Sequence, residues 1–338
     1  MADVVFAIPG DLKSTTGGYA YDRRVIELLP DFGVRVSVLP LADTFPNPSA
    51  SDLAKTARLL KAKPRDEVLM VDGLAFGAFT GDVLDALSGR VVALVHHPLF
   101  LETGLPHSRK VEIKASEEIA LQHASHIVVT SRVTKRILVD TMGISQEKVT
   151  IAEPGTDPAQ RATGTGAPLQ ILAVGAVLPR KGYHVLVEAL APLKHIDWRL
   201  TIAGALDRHP DAVATVQNAI LSNGLEDRVT LAGKVVPATL DRYYESADLF
   251  VSASLFEGYG MVLAEAMARG LPMVIAAGGA AAETAGNVTA LTTAIERALT
   301  DKKLRDRLAD AAWEAGRTLP TWHETARRIA AVILGLRP

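Results

Sequence analysis

The sequence predicts an α/β protein made of two doubly wound domains, each a parallel sheet covered by helices. Three observations carry this. Short β-branched or aliphatic runs alternate with longer stretches of helical period, this series runs to completion and starts again, and a Gly-, Pro- and Thr-rich stretch at 158–168 joins the two series. A length of 338 residues suits two domains. The first series places strands at 3–8, 34–40, 67–71, 91–96, 126–130 and 149–153, with helical stretches at 18–29, 51–61 and 109–123 between them. The second places strands at 169–174, 198–203, 229–232, 249–252 and 272–276, again separated by helical segments. A domain over 1–160 is thus followed by one over 161–320. The remaining 321–338 form a last helix beyond the break at Leu319-Pro320.

Composition narrows the function. A net charge of −2 lacks the basic excess of nucleic-acid binders, so nucleic acid is not an expected partner. With no cysteine there is neither a disulfide framework nor a thiolate zinc site. The N-terminal residues include Asp3 where a secretion signal needs basic ones, and the first apolar run stops at Pro9-Gly10. No apolar run reaches the roughly 18 residues of a spanning helix. The expected protein is cytoplasmic. Arg109, Lys110 and Lys114 beside apolar residues allow peripheral contact with a membrane's inner face, but Glu102, Glu112, Glu117 and Glu118 weaken any basic patch.

Ligands of open parallel sheets bind beyond the carboxyl ends of the strands, so the informative residues are those that follow strands. After 249–252 comes Glu257-Gly258-Tyr259-Gly260-Met261-Val262, with Glu265 two turns into the helix that Gly260 opens. Glycines there let backbone N–H groups approach an anion, and the helix dipole favours phosphate. The two carboxylates suit sugar hydroxyls, which are donors. Spacing alone equally fits an ordinary loop–helix joint with Glu265 on a solvated face. Arg180 and Lys181 follow the strand-end Gly175, where a planar fork and a point charge can meet a diphosphate; in isolation such a pair is often a solvated turn. In the first half, Gly17-Gly18 opens a helix after the first strand, and His96-His97 ends the fourth. Adjacent residues of an extended segment face opposite ways, so at most one of these histidines enters a site, and the pair is ill placed to share a metal. Ser131 reads as an N-cap. No cluster calls for a metal or a resident cofactor.

Glu257, seven intervening residues and Glu265, with the continuation Ala266-Met267-Ala268-Arg269-Gly270-Leu271-Pro272, resemble the signature of the retaining glycosyltransferases of family four. The run Val174-Gly175-Ala176-Val177-Leu178-Pro179-Arg180-Lys181-Gly182 resembles that family's phosphate-binding loop. Leu200-Thr201-Ile202-Ala203-Gly204 is similar to its next strand, and Arg228-Val229-Thr230-Leu231-Ala232-Gly233-Lys234-Val235 to its base-reading segment. The likeness covers nearly the whole chain and is densest over 170–285.

The resemblance implies a GT-B fold, two Rossmann-like domains facing across a cleft, with the last helix crossing back to the first domain. It implies retaining transfer of a hexose-type sugar from a nucleotide diphosphate-sugar, as co-substrate, to a hydroxyl of a glycan, lipid or small-molecule acceptor. Glu257, Lys181, Arg180 and His96 would be catalytic. Gly17, Gly18, His97, Gly175, Lys234, Val235, Gly258, Tyr259, Gly260, Met261, Val262, Glu265 and Glu283 would bind substrate. His96 best fits the family's histidine beside the reacting sugar, while His97 falls where many members have Asp, so the choice between them stays open. Two departures stand out. Ala176 replaces a common Arg, and the turn and short strand usual after Glu283 are missing. These departures support an alternative, a non-catalytic nucleotide-sugar-binding or partner subunit; a sugar-nucleotide epimerase ranks third.

Overall fold

A computed structural model describes residues 2–14, 16–102, 104–276 and 286–336. The chain forms two compact units, Met1–Gly155 with Pro320–Pro338, and Thr156–Leu319.

The first unit holds a six-stranded sheet of β1 (Ala2–Pro9), β2 (Val34–Leu41), β3 (Val68–Asp72), β4 (Val91–Val95), β5 (His126–Val129) and β6 (Val149–Ile151). Its order is β2-β1-β3-β4-β5-β6 and every pairing is parallel. Strands β3 and β4 are buried at every position, which is why they read as unbroken apolar runs rather than alternating ones. Phe79 meets Phe45 edge to face at 5.8 Å and the tilted Phe76 ring at 5.6 Å, in the core with Leu69, Ala93 and Leu121. The chain leaves β1 to opposite sides for β2 and β3, so the reversal lies between β1 and β3.

The helix Trp322–Gly335 belongs to this unit. Thr325 Oγ1 donates to the Glu153 carbonyl at 2.7 Å, and Arg328 to that of Ile151 at 3.3 Å. Gly155 is required here, since a Cβ would collide with the Trp322 backbone. Trp322 meets Tyr21 edge-on at 5.7 Å.

The second unit holds β7 (Leu169–Val174), β8 (Trp198–Ala203), β9 (Val229–Gly233), β10 (Leu249–Ser252) and β11 (Met273–Ile275), in the order β11-β10-β7-β8-β9, all parallel. Here the reversal lies between β7 and β10. Trp198 and Tyr183 are buried in the core with Leu186, Leu190, Ile202 and Val251.

The stretch 158–168 reads as an exposed linker, yet it is fastened to the second unit. Asp248 accepts from the Gly166 and Gln170 amides at 3.0 and 2.8 Å and from Thr165 Oγ1 at 3.2 Å. The Ala162, Thr163 and Gly164 amides donate to the Arg269 and Glu245 carbonyls. Composition marks a stretch without large apolar groups; it carries no sign of a carboxylate far along the chain that satisfies the backbone.

Among the described residues, no helix is long and apolar enough to cross a membrane.

Candidate active site

At the reversal of the second sheet, the loops following β7 and β10 meet. Beyond β7, the Gly175 amide donates to the Ala203 carbonyl at 2.9 Å, and the Gly175 carbonyl accepts from Tyr183 Oη at 3.0 Å. A side chain on Gly175 would strike Lys181 Cε. A single turn, Pro179–Lys181, then ends at Gly182, whose φ of +62° and contact with the Ala253 carbonyl leave no room for a Cβ. That contact seats Arg180 and Lys181 on the end of β10.

The three charges of the two loops are joined. Lys181 Nζ lies 2.5 Å from Glu257 Oε1, and Arg180 Nη1 lies 3.5 Å from Glu257 Oε2. Ser254 Oγ donates to Glu257 Oε1 at 2.7 Å, and Arg180 also donates to the Phe256 carbonyl at 3.4 Å. Burial pushes the Glu257 carboxyl up, but Lys181, Ser254 and Arg180 outweigh it and hold the carboxyl below its ordinary value. Burial pushes the Lys181 ammonium down, with Glu257 opposing. The sequence gives the cations to a diphosphate and Glu257 to a sugar; the structure also gives them to one another, leaving a cluster with one net positive charge.

Gly260, at φ +86°, opens the helix Met261–Ala268, and no side chain caps its first turn. The Leu263 and Ala264 amides both donate to the Gly260 carbonyl, so the amides of Met261 and Val262 lie ahead of the helical ladder. Gly258 and Tyr259 are half-buried in the loop before it. Glu265 accepts from Tyr244 Oη at 2.8 Å, and Arg269 lies 4.5 Å over the Tyr244 ring. Burial raises the Glu265 carboxyl against the opposing Tyr244 and Arg269. Tyr183, which the sequence offers as a packing residue, is buried in the core, while the sequence reading singles out neither Tyr244 nor Ser254. Only Ser254, three residues before Glu257, leaves a local trace.

The glycines Gly175, Gly204 and Gly233 end three successive strands side by side. The Gly204 amide donates to Gly233 at 2.9 Å, and a Cβ on Gly204 would overlap the Gly175 carbonyl. Lys234 pairs with Asp207 at 2.6 Å with both side chains largely in solvent, and Val235 follows it, half-buried. Glu283 lies outside the described residues.

In the first unit, Thr16 caps the helix Gly17–Leu28, and Gly18 lies against the His96 ring, with 3.3 Å from its missing Cβ position to Cδ2. His96 Nε2 is 3.0 Å from Asp22 Oδ1 and 3.7 Å from Asp72 Oδ2. The Tyr21 ring stands edge-on at 5.1 Å, and Thr130 Oγ1 donates to the His96 carbonyl. Of the two histidines, His96 is the one the fold turns onto Gly18; His97 is half-buried beside it. Burial and the Asp22 charge push the Asp72 carboxyl up to about 7, with His96 opposing. Burial disfavours the His96 cation, but Asp22 and Asp72 together carry its pKa above the ordinary value. Asp22 and Asp72 were absent from the sequence reading. Ser131 Oγ accepts from the Thr134 amide at 3.0 Å, the cap its position suggests.

The turn after His97 is held by Glu117, which is 1% exposed and accepts from the Leu99 amide at 3.0 Å. Burial raises its carboxyl to about 7. The folded state therefore binds the proton more tightly than the unfolded one, and stability from this group falls as pH rises from the unfolded value toward 7. Glu117→Gln keeps the acceptor and removes the charge. It is expected to raise the melting temperature at pH 8, by an equivalent of at most about 3 kcal/mol, and to change little at pH 4; thermal unfolding at both values checks this.

Two family models match the chain, one described as Glycosyltransferase Family 4 over residues 13–160 and one as Glycosyl transferases group 1 over 159–314. Among named relatives, the mannosylfructose-phosphate synthase of Agrobacterium fabrum is 28% identical over 177 residues, 47% of this chain and 39% of that protein. The D-inositol 3-phosphate glycosyltransferase of Kineococcus radiotolerans is 30% identical over 185 residues, 48% and 42% of the two chains. The chain thus spans less than half the length of these relatives. Two solved structures share the fold over nearly their full lengths. A sucrose-phosphate synthase of Thermosynechococcus elongatus has a TM-score of 0.82 at 19% identity, with 99% of each chain covered. Anabaena Alr3699/HepE, solved with UDP and glucose, has 0.77 at 18%, covering 99% of this chain and 100% of its own.

Proposed function

The chain belongs to glycosyltransferase family four with the GT-B fold, and from that membership we propose that it transfers a hexose-type sugar from a nucleoside diphosphate-sugar to an acceptor hydroxyl with retention of configuration. The observation that carries the reading is the Arg180–Lys181–Glu257 cluster at the reversal of the second sheet, facing the glycine-opened helix Met261–Ala268.

A diphosphate entering there competes with Glu257 for two cations and meets the amides of Gly260, Met261 and Val262. As the bond from the sugar C1 to the phosphate oxygen breaks, negative charge grows on the leaving phosphate. Preorganised cations and amides stabilise that charge more in the transition state than in the ground state. The bond from C1 to the acceptor oxygen forms on the same face, and the acceptor's proton passes to the leaving phosphate. Glu257, released from Lys181, accepts from sugar hydroxyls. Glu265 is assigned the ribose hydroxyls, and Gly175, Lys234 and Val235 the rest of the nucleotide. The first unit, with Gly17, Gly18, His96 and His97, is assigned the acceptor side. The reading calls for no metal because Arg180, Lys181 and the helix terminus supply the positive charge. The relative named for a mannosyl product and the neighbour solved with UDP and glucose support a hexose on a nucleotide carrier. The acceptor is taken to be a glycan, lipid or small molecule met in the cytoplasm or at the inner face of a membrane.

The test is a thermal-shift titration of the wild type and Lys181→Ala with UDP, GDP, ADP and their common sugar conjugates. A ligand at about 100 times its Kd adds roughly 2.7 kcal/mol, a shift of a few degrees for a chain of this size. A shift with one base, lost in the variant, is expected; no shift with any nucleotide overturns the reading.

A further inference from the structure

The buried cluster of the first unit contains more charge than a structural tie needs. Asp22, on the helix Gly17–Leu28, is fully buried, and its Oδ2 has no hydrogen-bond partner among the described residues. Asp72, at the end of β3, is 4% exposed and has one oxygen on the Leu74 amide. Two carboxylates out of water require positive charge or protons beside them. The group facing both is the His96 ring, with Nε2 at 3.0 and 3.7 Å from the two carboxylates. Tyr21, the other titratable group against the ring, stays neutral because burial and the Asp22 charge push its phenol well up. The cluster becomes neutral when His96 carries its second proton, Asp22 is ionised and Asp72 is protonated; the upward displacement of Asp72 and His96 agrees with this arrangement.

The ring is not sealed in. Its side chain is 21% exposed, and Nδ1 has no hydrogen-bond partner among the described residues.

We propose that Asp22 and Asp72 are positioning residues that hold His96 as an imidazolium, with Nε2–H committed to Asp22 and Nδ1–H offered to an oxygen of the substrate. A fixed imidazolium is a charge-assisted donor to a hydroxyl or phosphate oxygen, stronger than a neutral ring in the same place. The role in transfer rests on the function proposed above; the protonation state of His96 does not.

Two measurements separate these. The first is ¹⁵N NMR titration of the full chain labelled at histidine, with His96 assigned by its loss in His96→Gln. His96 is expected to remain an imidazolium above the pH at which ordinary histidines titrate; Asp22→Asn, which removes its charged partner, is expected to lower its midpoint by about one unit or more, and Asp72→Asn, which replaces a protonated carboxyl, to lower it by less. Titration of the wild type with the ordinary histidines, or a midpoint unmoved in Asp22→Asn, overturns the proposal. The second uses the nucleotide-sugar identified by thermal shift. Asp22→Asn is expected to reduce kcat by about two orders of magnitude, with donor KM within about twofold. The basic limb of its pH profile should move to lower pH by the amount seen in NMR. A lower kcat with an unmoved limb makes the residue merely structural and overturns the proposal. If no nucleotide-sugar is turned over, the proposed function fails, while the NMR result still decides the state of His96.

Discussion

Lys181→Ala is expected to lower donor-dependent sugar transfer by about two to three orders of magnitude, the cost of removing one preorganised donor to a developing anion. The loss should fall mainly on kcat, because the charge that Lys181 meets grows as the sugar–phosphate bond breaks. The variant also leaves Glu257 buried with Arg180 and Ser254 alone. Breaking a buried pair costs about 3–5 kcal/mol; the Glu257 side chain is 20% exposed, so the lower end applies and the second unit should melt several degrees earlier while still folded at 25 °C. The pH dependence distinguishes this from a general loss of packing. In the wild type the Glu257 carboxyl is held below its ordinary value, so it contributes stability above its unfolded pKa and loses it as pH falls through the folded one. Without Lys181 that contribution shrinks, and the gap in melting temperature between wild type and variant should narrow toward pH 3. Paired steady-state kinetics and thermal melts read both effects. Transfer at the wild-type rate would remove Lys181 from the site.

How much of this was legible before the fold was known depended on how far a residue's partners lie along the chain. Strands such as 169–174 and 249–252 carry their own apolar runs, and Ser131 announces its cap three residues ahead. Glu257, Gly260 and Glu265 are likewise visible, since a glycine-opened helix between two carboxylates is a local pattern. What periodicity does not contain is the sheet order. Strand β10 lies beside β7 because the chain reverses there, and only that adjacency brings Lys181 to Glu257, 76 residues away. The same holds for Tyr244 on Glu265 and for Asp22 on His96, 74 residues apart. Asp22 lies in a helix where a charged residue reads as solvent-facing, and its burial follows from where β3 and β4 end. The stretch 158–168 shows the converse error, in which a polar, glycine-rich composition looks free although Asp248 holds it.

Glu257→Gln is expected to separate binding from turnover. In the wild type, Glu257 occupies Lys181 and Arg180, and a diphosphate must displace a carboxylate to reach them. The amide keeps the size of the side chain and a hydrogen bond with Ser254 but removes the competing charge, so the cluster rises from one net positive charge to two. The nucleoside diphosphate found by thermal shift should then bind more tightly by about tenfold, or roughly 1.4 kcal/mol, with a steeper dependence on salt because more of the attraction is Coulombic. Transfer should nevertheless fall by about two orders of magnitude, because an amide is a weaker acceptor for sugar hydroxyls than a carboxylate and gives less stabilisation to positive charge at the breaking bond. Isothermal titration with the diphosphate and initial rates with its sugar conjugate give the two numbers independently. Tighter binding with lost transfer assigns Glu257 to the sugar and its pairing with Lys181 to the resting protein. Weaker binding with unchanged transfer would mean that Glu257 only orders the loop, and the sugar contact would have to be sought elsewhere along the second sheet's strand ends.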